Sequence, residues 1–222
     1  TAVASGTLPN GKPVVVNANG TVSATAETAV SQTLGSANVF DSGDAYDMGS
    51  AFDTGAGKVV IAYRDYVSSS NQRGNAVVGT VSGSNTSFGS EATFNTSKTN
   101  NVAVAYDENA GKSVILYRDD GNSGYLTCCV ATISGTNISF GSAVVVESVG
   151  GSGEAICYDS DTNKIVVISL NKAYIGTINN TSISFGSGVT FDTGSMVSVA
   201  VAYDTSASKV VVCYRHINNS NR

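Results

Sequence analysis

Apolar and polar positions along this chain alternate in short blocks, and the blocks recur. Val104 and Tyr106 fall to one side of an alternating run while Ala103 and Ala105 fall to the other, and Val201, Tyr203, Ala200 and Ala202 repeat the arrangement. A period of two is that of a β-strand. An aromatic-Asp pair is followed five residues later by Lys at Phe52-Asp53 with Lys58, Tyr106-Asp107 with Lys112, Tyr158-Asp159 with Lys164 and Tyr203-Asp204 with Lys209. β-Branched runs come next, Val59-Val60-Ile61, Val114-Ile115-Leu116, Ile165-Val166-Val167 and Val210-Val211-Val212. The segment between them, as in Asp107-Glu108-Asn109-Ala110-Gly111-Lys112, has hairpin-turn chemistry. Ser-Phe-Gly-Ser recurs at 87–90, 139–142 and 184–187, with Leu34-Gly35-Ser36 as a degenerate first copy.

The recurring Asp residues are 54, 52 and 45 residues apart, and the variation sits in one place. Gly35 to Asp53, Gly89 to Asp107, Gly141 to Asp159 and Gly186 to Asp204 are each 18 residues. Tyr63 to Thr80 is 17, Tyr117 to Thr132 is 15 and Ser169 to Thr177 is 8, so only the connection between the second and third strands changes length. Each unit reads as four short strands. Small residues on one side of the first strand suit a place where several strands converge on an axis.

The expected fold is all-β, a β-propeller of four four-stranded blades closed by strands from both termini. It is a single domain over 1–222, with units near 49–97, 98–152 and 153–197 and a closing unit from 198–222 plus 1–48. Hairpin signals at Pro9-Asn10-Gly11 and Asn19-Gly20 mark where the missing outer strands would lie. An open stack of sheets, or part of a larger ring, is the alternative.

Composition narrows the function. Charged residues are 13% of the chain and the net charge is −5, which argues against a nucleic-acid partner, since such binding rests on clustered Lys and Arg. No apolar run reaches the roughly 20 residues of a membrane helix, and no signal-peptide pattern is evident, so no membrane insertion is expected. A chain beginning at Thr1 reads as a processed or excised form. Cys128, Cys129, Cys157 and Cys213 are expected to be buried free thiols rather than disulfides. Sequons at Asn85, Asn137 and Asn180 fall in turns and discriminate nothing.

Catalytic chemistry is sparse. The single histidine, His216, has no identifiable partner, and the five Glu and the repeated Asp residues suggest turn roles more than paired general acids. Asp159-Ser160-Asp161-Thr162-Asn163 starts like a calcium loop, but Lys164 stands where the sharp-turn Gly belongs. No metal, cofactor or catalytic residue is expected. The candidate ligand-binding residues are those of the variable connection: Tyr63, Arg64, Asp65, Arg73, Tyr117, Arg118, Asp119, Asn122, Tyr214 and Arg215. Variable loops on a constant scaffold carry binding, and these side chains suit sugar hydroxyls and carboxylates, with Tyr rings stacking on sugar faces. The alternative for any one of them is that Arg and Asp pair within a turn while Tyr packs between blades. Ser169-Leu170-Asn171-Lys172 lacks the Tyr-Arg pair, so any site is asymmetric.

The repeated text, Phe52-Asp53 through Lys58 to Tyr63-Arg64-Asp65, then Gly79-Thr80-Val81-Ser82-Gly83 and Ser87-Phe88-Gly89-Ser90, resembles repeat proteins of marine bacteriophages and cyanophages described as tail-fibre-like or virion structural proteins. The resemblance covers about residues 34–216, and Leu8 to Asn17 looks like a lead-in to such repeats. It implies a non-catalytic virion or extracellular module that binds a host cell-surface glycan or assembles into a fibre, with other virion or fibre proteins or further copies of itself as partners. A secreted propeller glycoside hydrolase or lyase and a purely structural virion component are the alternatives.

Overall fold

The computed structural model describes residues 3–8, 10, 13–24, 35–149, 153–194 and 196–217. Pro9, Gly11, Lys12 and Leu34, together with the rest of 25–34 and with 218–222, lie outside the described residues. The chain divides into two compact units, Thr1–Leu34 and Gly35–Arg222. In the first, β1 (Val3–Ala4), β2 (Val14–Val16) and β3 (Thr21–Ala24) form a three-stranded sheet in the order β1-β3-β2.

The second unit holds the repeats. β4 (Asp44–Asp53), β5 (Lys58–Ser68), β6 (Asn71–Ser82) and β7 (Asn85–Phe88) form an antiparallel sheet in sequence order, and β8 (Ala92–Asn95) also pairs with β6. β9 (Thr99–Asp107), β10 (Lys112–Asp119), β11 (Tyr125–Ser134), β12 (Asn137–Phe140) and β13 (Val144–Glu147) repeat this plan. So do β14 (Glu154–Asp159), β15 (Lys164–Ser169), β16 (Lys172–Asn179), β17 (Ser182–Phe185) and β18 (Val189–Thr190). β19 (Met196–Asp204) and β20 (Lys209–His216) make a two-stranded sheet. The four-strand unit is thus present three times, and its fourth strand is split at the Ser-Phe-Gly-Ser glycine.

Local chemistry explains the repeated residues. Asp53 Oδ1 accepts from Ala56 N at 2.8 Å, Asp107 Oδ1 from Ala110 N at 2.8 Å and Asp204 Oδ1 from Ser206 N at 2.9 Å, so each Asp closes its own hairpin turn. Four residues after each Asp the backbone is left-handed, at Gly57, Gly111, Asn163 and Ser208. Lys58 Nζ donates to Thr80 Oγ1 at 2.8 Å and Lys164 Nζ to Thr177 Oγ1 at 3.0 Å, which ties second strand to third.

The second and third sheets are apolar on both faces because each packs against the sheet before it and the sheet after it. Val60, Ala62, Ala76 and Val78 on the forward face of the first sheet meet Ile115, Tyr117, Cys129 and Ala131 on the rear face of the second. Val114, Leu116, Cys128 and Val130 then meet Ile165, Val167 and Tyr174, and Val166 and Ile168 meet Val210, Val212 and Tyr214. β4 packs on β9, β9 on β14 and β14 on β19, and no comparable packing joins β19 back to β4 among the described residues. The described sheets therefore form an open series, and the expected closing unit does not appear among them as one sheet.

Because the fourth unit has two strands, the outer forward face of the third sheet is left open. A cavity of about 460 Å³ lies there, lined by Val166, Ile168, Ala173, Ile175 and Phe191. A Cβ on Gly89 or Gly141 would meet the carbonyl of Thr136 or Thr181 in the next outer hairpin, whereas one on Gly186 would meet nothing within 4 Å. All four cysteines are free thiols; Cys128 and Cys129 are buried, which pushes the Cys129 thiol up to about 12, Cys157 is half-buried and Cys213 is exposed. No helix among the described residues is long and apolar enough to cross a membrane.

Leu116 is fully buried between two sheets, while Val211, on the last hairpin, is 49% exposed. Leu116→Ala is expected to cost about 2–5 kcal/mol in denaturant unfolding, and Val211→Ala about 0.5 kcal/mol or less.

Candidate functional site

Six residues before each recurring Asp the chain has Asp47, Asn101, Gly153 and Ser198. Asp47, Asn101 and Ser198 have φ of 46°, 52° and 54°. Asn and Asp tolerate this left-handed region better than other side chains. Strand pairing slips at these positions, between Tyr46 and Gly49, opposite Leu116 to Arg118, and between Val197 and Ala200. Each is a β-bulge near the start of an inner strand, a device that commonly re-aims side chains beside functional sites. Where three of these positions converge, a cavity of about 220 Å³ is lined by Asn101, Val102, Gly153, Glu154, Ser198 and Val199. Asn101 Nδ2 donates to Glu154 Oε2 at 2.9 Å across the joint between the second and third sheets.

The same end of each sheet carries the variable connection, since Asp44 pairs with Tyr66 and Thr99 with Asp119. A polar chain runs along this rim. Arg64 donates to Asn100 Oδ1 at 2.5 Å, stands 3.4 Å from Asp47 Oδ2 and lies 5.1 Å above the Tyr46 ring. Asn100 Nδ2 donates to Asp120 Oδ2 at 2.9 Å, and Lys98 and Arg118 each approach the Asp120 carboxylate to 3.2 Å. Tyr46 is 44% exposed.

The sequence candidates divide into three groups. Tyr63 and Tyr117 are core residues, fully or nearly fully buried. Tyr63 packs edge-on against Phe40 and donates to Glu91 Oε2 at 2.5 Å; burial, that bond and nearby carboxylates push its phenol well up. Tyr117 packs on Phe94. Tyr214 is half-buried and donates to Asp192 Oδ2 at 2.6 Å, with His216 Nε2 3.5 Å from Oδ1 of the same carboxylate. The Tyr117 and Tyr214 rings pack between sheets, and Tyr63 packs against the segment that leads into the first sheet.

Asp65 and Asp119 hold the hairpins. Asp65 Oδ2 accepts from Arg73 Nε at 3.1 Å and from Asn75 Nδ2 at 2.9 Å. Asp119 Oδ1 accepts from Asn95 Nδ2 at 3.1 Å and Gly121 N at 3.0 Å, capping the 3-10 turn Asp120–Asn122. Arg64 and Arg118 are brought together on the rim through Asn100 and Asp120, while Arg73, Asn122 and Arg215 reach solvent elsewhere on their hairpins. Asp47, Asn100, Asn101, Glu154 and Ser198 are not among the candidates. For Asp47, Asn101 and Ser198 the signal was the run of Asp, Asn, Gly and Ser at one fixed offset, the residue types that accept a left-handed backbone.

In the third sheet Ser169 takes the place of the buried Tyr, and another pair fills the gap. Lys172 Nζ donates to Glu147 Oε1 at 2.7 Å, with Glu147 6% exposed. Burial pushes the Glu147 carboxyl up, but hydrogen bonds from Lys172, Tyr174 and Ser169 and the Lys172 charge outweigh it and the net shift is downward. The rim as a whole offers alternating donors and acceptors beside an aromatic face, a set that suits sugar hydroxyls. Among the described residues no three His, Cys, Asp or Glu side chains gather to hold a metal ion. No family model matches the chain, and no curated protein matches it at a meaningful level of similarity.

Asn101→Gly is expected to leave thermal stability nearly unchanged, while Asn101→Val costs about 1–3 kcal/mol in the same melts, because a β-branched residue resists this φ. A carboxyl held below its ordinary value stabilises the fold above the unfolded pKa and loses that contribution as pH falls through the folded one. The denaturation midpoint is therefore expected to drop between about pH 6 and pH 3, and to drop less in Glu147→Gln.

Proposed function

We propose that this chain is a non-catalytic binding module of an extracellular or virion-surface assembly, built from propeller-type blades and recognising a host cell-surface glycan along its bulged rim. The observation that carries the reading is the polar chain Asp47–Arg64–Asn100–Asp120–Arg118, which spans two sheets beside the exposed Tyr46 ring. Such a rim offers planar guanidinium and amide donors and an aromatic platform within reach of one another. The carboxylates there are engaged in bonds to Arg, Lys and Asn side chains or in turn closure, which favours recognition over proton transfer. The finer architecture in this reading is a series of four propeller-type blades, the fourth of which starts with β19 and β20. The likeness of the repeated text to tail-fibre-like phage proteins points to a virion appendage.

A glycan array run beside a reducing-sugar assay tests this. A subset of glycans is expected to bind, with binding weakened about tenfold or more by Tyr46→Ala and by Arg118→Ala while circular dichroism stays unchanged, an effect of the size of one stacking or charged contact. Sugar release abolished by Asp120→Asn would overturn the reading in favour of a hydrolase or lyase. Silence in both assays would leave a purely structural role.

A further inference from the structure

Several positions covered at the internal joints become more exposed at the two ends of the sheet series, while Tyr63 and Val77 on the rear of the first sheet stay buried. Val60, Val114 and Val166 share one repeat position and are 0%, 0% and 3% exposed; Val211, the fourth, is 49% exposed. Ala62, Leu116 and Ile168 are buried, and their counterpart Cys213 is exposed. Ala200 and Ala202, which match Ala103 and Ala105, also face solvent. At the other end Met48 is 59% exposed where its counterpart Val102 is 8%, and Phe52 is 56% exposed where Tyr106, Tyr158 and Tyr203 are half-buried.

These two faces are the two halves of one joint. Within the chain, the small forward side of an inner strand meets the bulky rear side of the next: a Cβ on Gly49 would come within 2.9 Å of Ala103 Cα and 3.1 Å of the Val102 carbonyl oxygen, and Ala103 and Ala105 pack with Ile156 and Tyr158. The aromatic of each aromatic-Asp pair also reaches back to the preceding turn. Tyr106 Oη accepts from Gly55 N at 3.2 Å and Tyr158 Oη from Asn109 N at 3.3 Å. Phe52 has no hydroxyl to satisfy, so burying it strands no polar atom.

We infer that a second copy of this chain docks head to tail, seating the rear face of its first sheet, Met48 and Phe52, on the forward face of the β19–β20 hairpin, Ala200, Ala202, Val211 and Cys213. The contact continues an interface the chain already makes three times, and it rests on the reading of these sheets as propeller-type blades. Because the two faces differ, the association is heterologous and closes as a ring or extends as a fibre. Covering both faces also removes the free apolar surface that a monomer would expose.

Light scattering after size-exclusion chromatography of the full chain, over a range of concentrations, tests this. The unaltered chain is expected to give masses of two or more chains that fall towards one on dilution. Phe52→Glu and Ala202→Glu should each run as a single chain at every concentration, because each spoils one half of the joint. Mixed in equal amounts, the two variants should form a two-chain particle and nothing larger, since one intact rear face remains for one intact forward face. Met48→Glu and Val211→Glu serve as a second pair if either first variant fails to melt like the parent. A single chain at all concentrations for the parent, association that survives either change, or a mixture that does not pair would each overturn the inference. Glycan binding by the single-chain variants reads the rim separately, so loss of one property is distinguishable from loss of the other.

Discussion

The structure depends on the joint between consecutive sheets, where a face of small residues meets a face of bulky ones. A four-stranded sheet alone cannot cover its own apolar faces. The second sheet is enclosed on both sides, and five consecutive residues of β10, Ser113 to Tyr117, are buried. β20 carries much the same sequence pattern, yet its residues alternate between exposed and half-buried because only one side has a neighbour. Much the same local pattern thus gives different burial according to position in the series. Burying a Val or Leu side chain contributes roughly 1.5–3 kcal/mol, so the joints, rather than the strands taken singly, hold the array together.

The joint also explains why particular residues recur. Gly35 and Gly89 pack so closely on the backbone at Ser84 and Thr136 that any Cβ would collide with a carbonyl oxygen. Five residues beyond these glycines, Phe40 and Phe94 cross to the next sheet and stack on Tyr63 and Tyr117. Phe191, at the same offset from Gly186, stacks on Tyr214. The crossing between units is therefore part of the core and sets its length, and the constant 18-residue spacing from Gly to Asp follows. In the third sheet Val146 and Ser169 replace the aromatic pair, and Glu147 and Lys172 reach inward instead.

The all-β character, hairpins, turn-closing Asp residues and free thiols were legible in the sequence because each follows from local alternation or turn chemistry. The joining of the ends was not, since it depends on contacts between residues far apart in the chain. The Tyr-Arg-Asp signature misled for a definable reason. It reads as the start of a loop, but β5 runs on to Ser68 and Tyr63 is paired with Asn75 inside the sheet. Alternation then buries Tyr63 and Tyr117 on the rear faces of their sheets and leaves Arg64 and Arg118 at the rim. The bulges were hidden because an extra residue in a strand leaves no mark on composition, and only the repeated offset of Asp47, Asn101 and Ser198 betrays them.

Asymmetry along the rim follows from the lengths of the hairpins that rise above it. In the first sheet pairing between β5 and β6 continues to Ser68 and Asn71, in the second the 3-10 turn at Asp120–Asn122 bridges the strands, and in the third Ser169 pairs directly with Lys172 across a tight turn at Leu170. Leu170 takes a φ of 52°, which a two-residue hairpin demands even of a side chain that resists it. The rim is therefore bounded by taller hairpins over the first two sheets and a low step over the third. The repeat supplies a uniform scaffold, and changes confined to one connection turn it into a surface with a direction.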